Sequence, residues 1–164
     1  MSVNRFQDYI LVLPEDDANR QLAVGFLLEP QVVMGRQIQI LPPAGGWTKV
    51  RDKFLEEYLN DLERDSHGHL ILLVDCDGKP ERIGELKANV PANLEGRVFI
   101  VGCLHEPEQL KQGRRYDALG KQLARDCQSQ REDSLWLTLE LRHNADELQR
   151  MGNIRRLLFG STET

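Results

Sequence analysis

Short apolar runs alternate along the chain with longer stretches whose apolar residues return every three or four positions. Tyr9-Ile10-Leu11-Val12-Leu13 is the first run, of strand length; Pro14 ends it and Glu15-Asp16-Asp17 follows. Ala18, Leu22 and Phe26 then share one helical face, predicting a helix to about Leu28. The three acids at its start complement the helix dipole, a complete structural reason for their presence. After a turn region from Glu29 to Gly35, Arg36 to Leu41 alternates like a less buried strand, which Pro42-Pro43-Ala44-Gly45-Gly46 breaks. Trp47, Val50, Phe54 and Tyr58, with Leu55, Leu59 and Leu62, predict an amphipathic helix to about Arg64.

Leu70 to Val74 is a run of consecutive aliphatic residues, too short to cross a membrane and suited to a strand buried on both faces. Ile83, Leu86 and Val90 predict a short helix closed by Pro91, and Arg97 to Gly102 is the fourth strand. Strands alternating with helices in this way predict an α/β fold: a four-stranded, mostly parallel sheet flanked by helices, with right-handed crossovers. The remainder reads as a helical C-terminal extension. Leu119, Leu123 and Cys127 line one helix face, and Asn144-Ala145-Asp146-Glu147 has capping-box spacing at the start of another helix carrying Leu148 and Met151. Leu135, Leu137, Leu139 and Leu141 alternate with strand-like period, yet the sheet already has its strands, so a helix is expected there. The last residues, Gly160 to Thr164, are expected to fray. The chain reads as one domain over 1–164, with an α/β core at 8–110 and a helical extension at 111–160.

Composition narrows the class. The 164 residues are 40% hydrophobic and 29% charged, with a net charge of −5. These are globular values, and any grip on nucleic acid needs a local basic patch. The three cysteines, Cys76, Cys103 and Cys127, lack zinc spacing and read as reduced thiols. No signal core or membrane-length run is evident, so a cytoplasmic location without membrane attachment is expected. The loop at 42–46 lacks the Lys-Ser/Thr ending of a P-loop, which excludes ATP binding by that device.

Chemistry concentrates at strand ends. Glu15 follows the first strand, Asp75-Cys76-Asp77-Gly78 the third, and Glu106 with Glu108 the fourth. In a parallel sheet all three clusters emerge on one edge, where ligands of open α/β sheets bind. Crowded carboxylates repel and raise one another's pKa unless a cation neutralises them, and oxygen ligands suit Mg²⁺ or Mn²⁺. Asp and Gly are also ordinary turn residues, so the Asp-x-Asp-Gly signal alone is weak.

The arrangement resembles the Toprim fold, the metal-binding domain of topoisomerases, bacterial primases and OLD-type nucleases. Val12-Leu13-Pro14-Glu15 matches its first acidic strand end and Leu73-Val74-Asp75-Cys76-Asp77 its Asp-x-Asp. Glu106-Pro107-Glu108 is similar to the acidic segment of OLD-type members. The resemblance spans roughly 8–110. It implies Mg²⁺-dependent, nuclease-type phosphodiester chemistry, within a defence or mobile-element system. Asp75, Asp77, Glu106 and Glu108 would be metal ligands, and Glu15 a general base or further ligand. Two positions depart from the pattern: Asp16 stands where a Gly usually follows the Glu, and Asn19 where the next acid usually lies. Nucleic acid needs cations on its backbone, and Lys79, Lys111, Arg114 and Arg115 are the candidates, with Arg142-His143 a weaker one. His67, His69, His105 and His143 lack mutual metal spacing and read as hydrogen-bond partners.

Two other enzymes use Asp-x-Asp. The haloacid-dehalogenase phosphotransferases place it after the first strand, and the chain is short for a glycosyltransferase. The main alternative is a catalytically inactive Toprim-like binding or scaffold subunit, whose partner is a protein or nucleic acid in a larger complex.

Overall fold

The apolar runs become parallel strands in the computed structural model, which describes residues 3–33, 35–129 and 131–160. They are β1 (Tyr9–Pro14), β2 (Ile38–Ile40), β3 (Gly68–Leu73) and β4 (Val98–Val101). The four-stranded sheet has the order β2-β1-β3-β4 and every pairing is parallel. Ile10 stands opposite both Ile38 and His69, and Ile71 opposite Phe99. With both faces covered, β1 is buried along its whole length, which is why its sequence is apolar rather than alternating.

The crossovers are helical. Helix α1 (Asp17–Leu28) follows β1. After β2 comes one helical stretch: α2 (Trp47–Lys53), a π turn (Phe54–Tyr58) and α3 (Leu59–Arg64). Helix α4 (Glu81–Lys87) links β3 to β4. The chain moves from β1 to β2 on one side, then back past β1 to β3 on the other. The strand order reverses between β1 and β3, the point at whose carboxyl ends open α/β sheets place a ligand crevice.

Alternate residues of the strands serve two cores. Tyr9, Leu11, Leu13, Leu70, Leu72 and Ile100 pack on Val50, Phe54, Leu62 and Leu86. Arg97 ties this layer together: its Nη1 donates to the carbonyls of Asp65 and Gly68, and its Nη2 to that of Leu62, a cation at the carboxyl end of α3. On the other face Ile10, Val12, Ile71, Phe99 and Val101 meet Ala23 of α1 and residues from the C-terminal helices.

Those helices are α5 (Glu108–Lys111), α6 (Tyr116–Gln128), α7 (Ala145–Arg150) and α8 (Gly152–Phe159). Beyond packing on the second core, the segment around α7 closes the open edge of β4. Glu147 Oε2 accepts the Ile100 N–H at 2.8 Å, and Asn144 Oδ1 accepts that of Gly102 at 3.2 Å. An edge strand left with free donors would invite another chain. Inside the layer a cavity of about 130 Å³ remains, lined by apolar side chains from β1, β3, α1, α6 and α8.

Three expectations change. The segment 134–143 is neither α-helix nor strand but carries two short 3₁₀ turns, Leu135–Leu137 and Arg142–Asn144. Side chains set its path: Asp126 Oδ2 accepts the Leu135 N–H, and the Trp136 indole donates to the Leu123 carbonyl. Leu137 and Leu139 are left exposed. A helix does begin at Ala145, but neither Asn144 nor Glu147 closes a capping box, because both side chains are committed to β4. The helix of Ile83 and Leu86 ends at Lys87, so Val90 lies beyond it. Of the expected frayed end, Ser161 to Thr164 lie outside the described residues. No helix among the described residues is long and apolar enough to cross a membrane.

Candidate functional site at the switch point of the sheet

Glu15 and Asp75 leave adjacent strands in register. Pro14 pairs with Leu73, the Glu15 N–H bonds the Leu73 carbonyl at 2.8 Å, and the Asp75 N–H donates to Glu15 Oε2 at 2.6 Å. The loop after β2 leans on the same point, with Ala44 N–H on the Pro14 carbonyl and Gly45 N–H on that of Glu15. From the other side, Cys76 N–H bonds the Cys103 carbonyl and Gly78 N–H that of Leu104. All four strand ends are thus stitched together around the two acids.

Asp16 joins them from the start of α1. As the N-cap, its Oδ1 accepts the Asn19 N–H at 2.9 Å and the Asn19 side-chain amide at 3.0 Å. The same amide nitrogen lies 3.1 Å from Asp75 Oδ1, bridging the two carboxyls. Asp75 is 6% exposed. Burial, only partly offset by the Asn19 bond and reinforced by the charges of Asp16 and Glu15, pushes its carboxyl up to about 8. Burial raises Glu15 too; the Asp75 N–H works against the shift, while the charges of Asp16 and Asp77 add to it. Of the five acids expected to crowd this edge, Glu15 and Asp75 meet, and the third member of the cluster is Asp16.

The other nominated acids lie differently. Asp77 sits in the turn with a left-handed φ of 49°, followed by Gly78 at 74°. Its carboxylate points outward, 65% exposed, and pairs with Arg82 Nη1 at 2.9 Å; that guanidinium also stacks over the Trp47 ring. Glu106 and Glu108 are exposed, Glu108 at the start of α5, and neither bonds the central pair among the described residues. No group of three or more His, Cys, Asp or Glu side chains among the described residues stands at metal-ligating spacing. What does stand together is Glu15, Asp16 and Asp75, hard oxygen donors joined by the Asn19 amide. Each of the three carboxyls spends one oxygen on a protein donor: Asp16 and Asp75 on the Asn19 amide, Glu15 on the Asp75 N–H.

Of the cations, Lys79 is exposed beside the turn. Lys111 lies over the Tyr116 ring at 4.5 Å, Arg115 pairs with Asp117 at 3.2 Å, and Arg114 lies in the loop between α5 and α6. Arg142 opens the second 3₁₀ turn, beside β4 rather than in the crevice.

Two residues at this edge, Arg82 and Glu140, carried no signal in the sequence, whereas Asp16 and Asn19, there departures from the Toprim-like pattern, join the cluster. Glu140 accepts the His105 backbone N–H at 2.9 Å and contacts His105 Nδ1 at 2.5 Å. That holds the ring's other edge over Gly78, where an added Cβ would sit 3.5 Å from Nε2. Arg82 and Glu140 arrive through tertiary packing.

The remaining histidines are structural. His67 meets Asp8 at 3.3 Å and His69 the Tyr9 carbonyl at 3.2 Å. His143 departs from the expected bonding: neither buried ring nitrogen makes a well-formed hydrogen bond among the described residues, and burial holds its pKa down against the Gly102 backbone and the charge of Glu140. His143→Phe is therefore expected to stabilise the fold by about 1–2 kcal/mol, read by chemical denaturation at pH 7. A loss of stability would show that the imidazole has a partner.

Comparison of the chain with profiles of known protein families, with curated proteins and with solved structures found no match.

Proposed function

We propose that the crevice between β1 and β3 is a Toprim-like site for Mg²⁺-dependent, nuclease-type phosphodiester chemistry on nucleic acid. The observation that carries this reading is the direct contact of Glu15 with Asp75, sixty positions apart in the sequence, at the switch point of a parallel sheet. Asp75 with Asp16 would hold the ion, and Asp77 would reach it on leaving Arg82. Bound there, Mg²⁺ supplies positive charge opposite the phosphate oxygens and lowers the pKa of a coordinated water.

The chain's own groups do the rest. Glu15 has a raised pKa and a carboxylate fixed by one backbone donor, which suits it to take a proton from an attacking water. Its second oxygen carries that proton. Arg82 and Lys79 flank the turn and offer charge to a phosphate backbone, with Lys111, Arg114 and Arg115 extending that charge beyond α5. Glu140 orients His105 over Gly78, where the ring edge would meet a phosphate.

A second reading rests on Asn19. An amide at this position satisfies Asp16 and Asp75 without an ion, as a binding domain that has lost catalysis would require. Cleavage assays on single- and double-stranded DNA and RNA, with Mg²⁺ or Mn²⁺, separate the two. The catalytic reading expects turnover that falls about a hundredfold or more in Asp75→Ala and in Asp77→Ala. Absence of cleavage on every substrate, or activity unchanged by both substitutions, leaves the binding domain.

A further inference from the structure

The apolar cavity on the second face of the sheet has a mouth of different character. Val12, Ala23, Phe26, Ile71, Leu123 and Ile154 are among its walls, and the pocket reaches from beneath Asn19 to Trp136. There it meets an outer recess of about 320 Å³ that shares Cys127, Trp136, Leu148 and Arg155 with it and adds Arg131 and Ser134. The interior space and the outer recess therefore adjoin at Cys127, Trp136, Leu148 and Arg155, with Asp126 and Arg131 on the outer side. Arg155 gives one N–H to the Cys127 carbonyl at 2.6 Å, and the rest of its fork is paired with no carboxylate among the described residues. Asp126, at the same opening, has its oxygens turned to the Gln122 amide and the Leu135 N–H rather than to Arg155. Among the described residues Arg131 has a long pairing with Asp133, at 3.7 Å.

We propose that this space is a binding site for a medium-chain aliphatic carboxylate, its chain in the cavity and its carboxylate on Arg155. The apolar walls give no partner to a polar group, so whatever enters the interior is hydrocarbon. An apolar cavity of this order stays dry and accepts small hydrocarbon guests, about the size of a ring or a short chain. The guanidinium fork at the opening matches a carboxylate in shape and charge. The site is separate from the acidic edge, and its occupancy does not depend on the activity proposed there.

Octanoate and octanol are the probes, one chain with and without the anion. Octanoate is expected to raise the melting temperature with a saturable concentration dependence, and octanol to do so about tenfold more weakly. Arg155→Gln should weaken octanoate to the level of octanol. Ala23→Leu fills the cavity and should abolish both responses while keeping the fold. A direct reading comes from the two tryptophans. In a Trp47→Phe background, a brominated octanoate should quench Trp136 saturably, and Ala23→Leu should remove the quenching. No saturable response to octanoate, equal responses to octanoate and octanol, or quenching that survives Ala23→Leu in folded protein would each overturn the proposal.

Discussion

Asp75→Asn is expected to make the protein more stable at pH 8 and to remove any response to Mg²⁺. The carboxyl lies buried against Asp16 and Glu15, and its pKa is pushed up to about 8. In the unfolded chain an aspartate titrates near 3.9. Between these values the folded protein holds a proton that the unfolded chain has released. Stability therefore falls as pH rises through that window, and the cost is complete above about pH 8. A cost of a few kcal/mol at that pH corresponds to a melting temperature roughly 5–10 °C lower than the amide variant would show. Asparagine suits the site: its oxygen still accepts from Asn19, and its amide donates to Asp16. His143 works in the opposite sense: burial lowers its pKa, so the unfolded chain takes up the proton first as pH falls below about 6.5. The comparison is cleanest from pH 6.5 to 9: the difference between the two proteins' thermal melts should widen up to about pH 8 and level off above it. Parallel curves would mean that Asp75 is not the buried, proton-holding group. A residue that burdens the fold yet stays ionisable fits the known exchange of stability for function.

Gly120→Ala is expected to lower stability by about 3 kcal/mol, or roughly 10 °C in melting temperature. Helices α1 and α6 touch backbone to backbone. A Cβ on Gly120 would lie 2.2 Å from the Leu22 carbonyl oxygen and 2.8 Å from the Phe26 nitrogen. Reciprocally, a Cβ on Gly25 would lie 2.2 Å from the Asp117 carbonyl oxygen. Neither obstacle is a side chain that can swing away, so the helices must part, and the apolar cluster of Leu22, Leu119 and Leu123 opens with them. Gly84→Ala in α4 is the control. Nothing lies within 4 Å of its Cβ, and better helix propensity should stabilise by about 0.5–1 kcal/mol. Denaturant titration of the two variants checks the pair; equal effects would contradict the close approach of α1 and α6.

Much of the fold was legible because burial on both faces leaves a plain mark. Tyr9 to Leu13 and Leu70 to Val74 read as interior strands, and their acidic ends fell on one edge as a parallel sheet requires. The amphipathic stretch from Trp47 to Arg64 was equally plain. What stayed hidden depends on contacts between distant segments. The leucine alternation from Leu135 to Leu141 looked like a strand, yet Asp126 and Leu123 tie that segment onto α6. Asn144 and Glu147 had helix-cap spacing, but the bare edge of β4 claims their side chains. At the site, Glu15 and Asp75 were readable as strand-end acids sharing one edge of a parallel sheet. The outward turn of Asp77 follows from Arg82, itself held by Trp47, and no local pattern announces that pairing. Glu106 and Glu108 share the edge without joining the central acids, since β4 is one strand further from the reversal.

The most direct measurement is a crystal soaked in Mn²⁺ at pH 8.5, where Asp75 has released its proton, with data collected for anomalous scattering. A metal-dependent site predicts a peak about 2.2 Å from an Asp75 oxygen and in reach of Asp16 or Glu15. A crevice without a peak at millimolar Mn²⁺, or a peak confined to exposed Glu106 and Glu108, would contradict it.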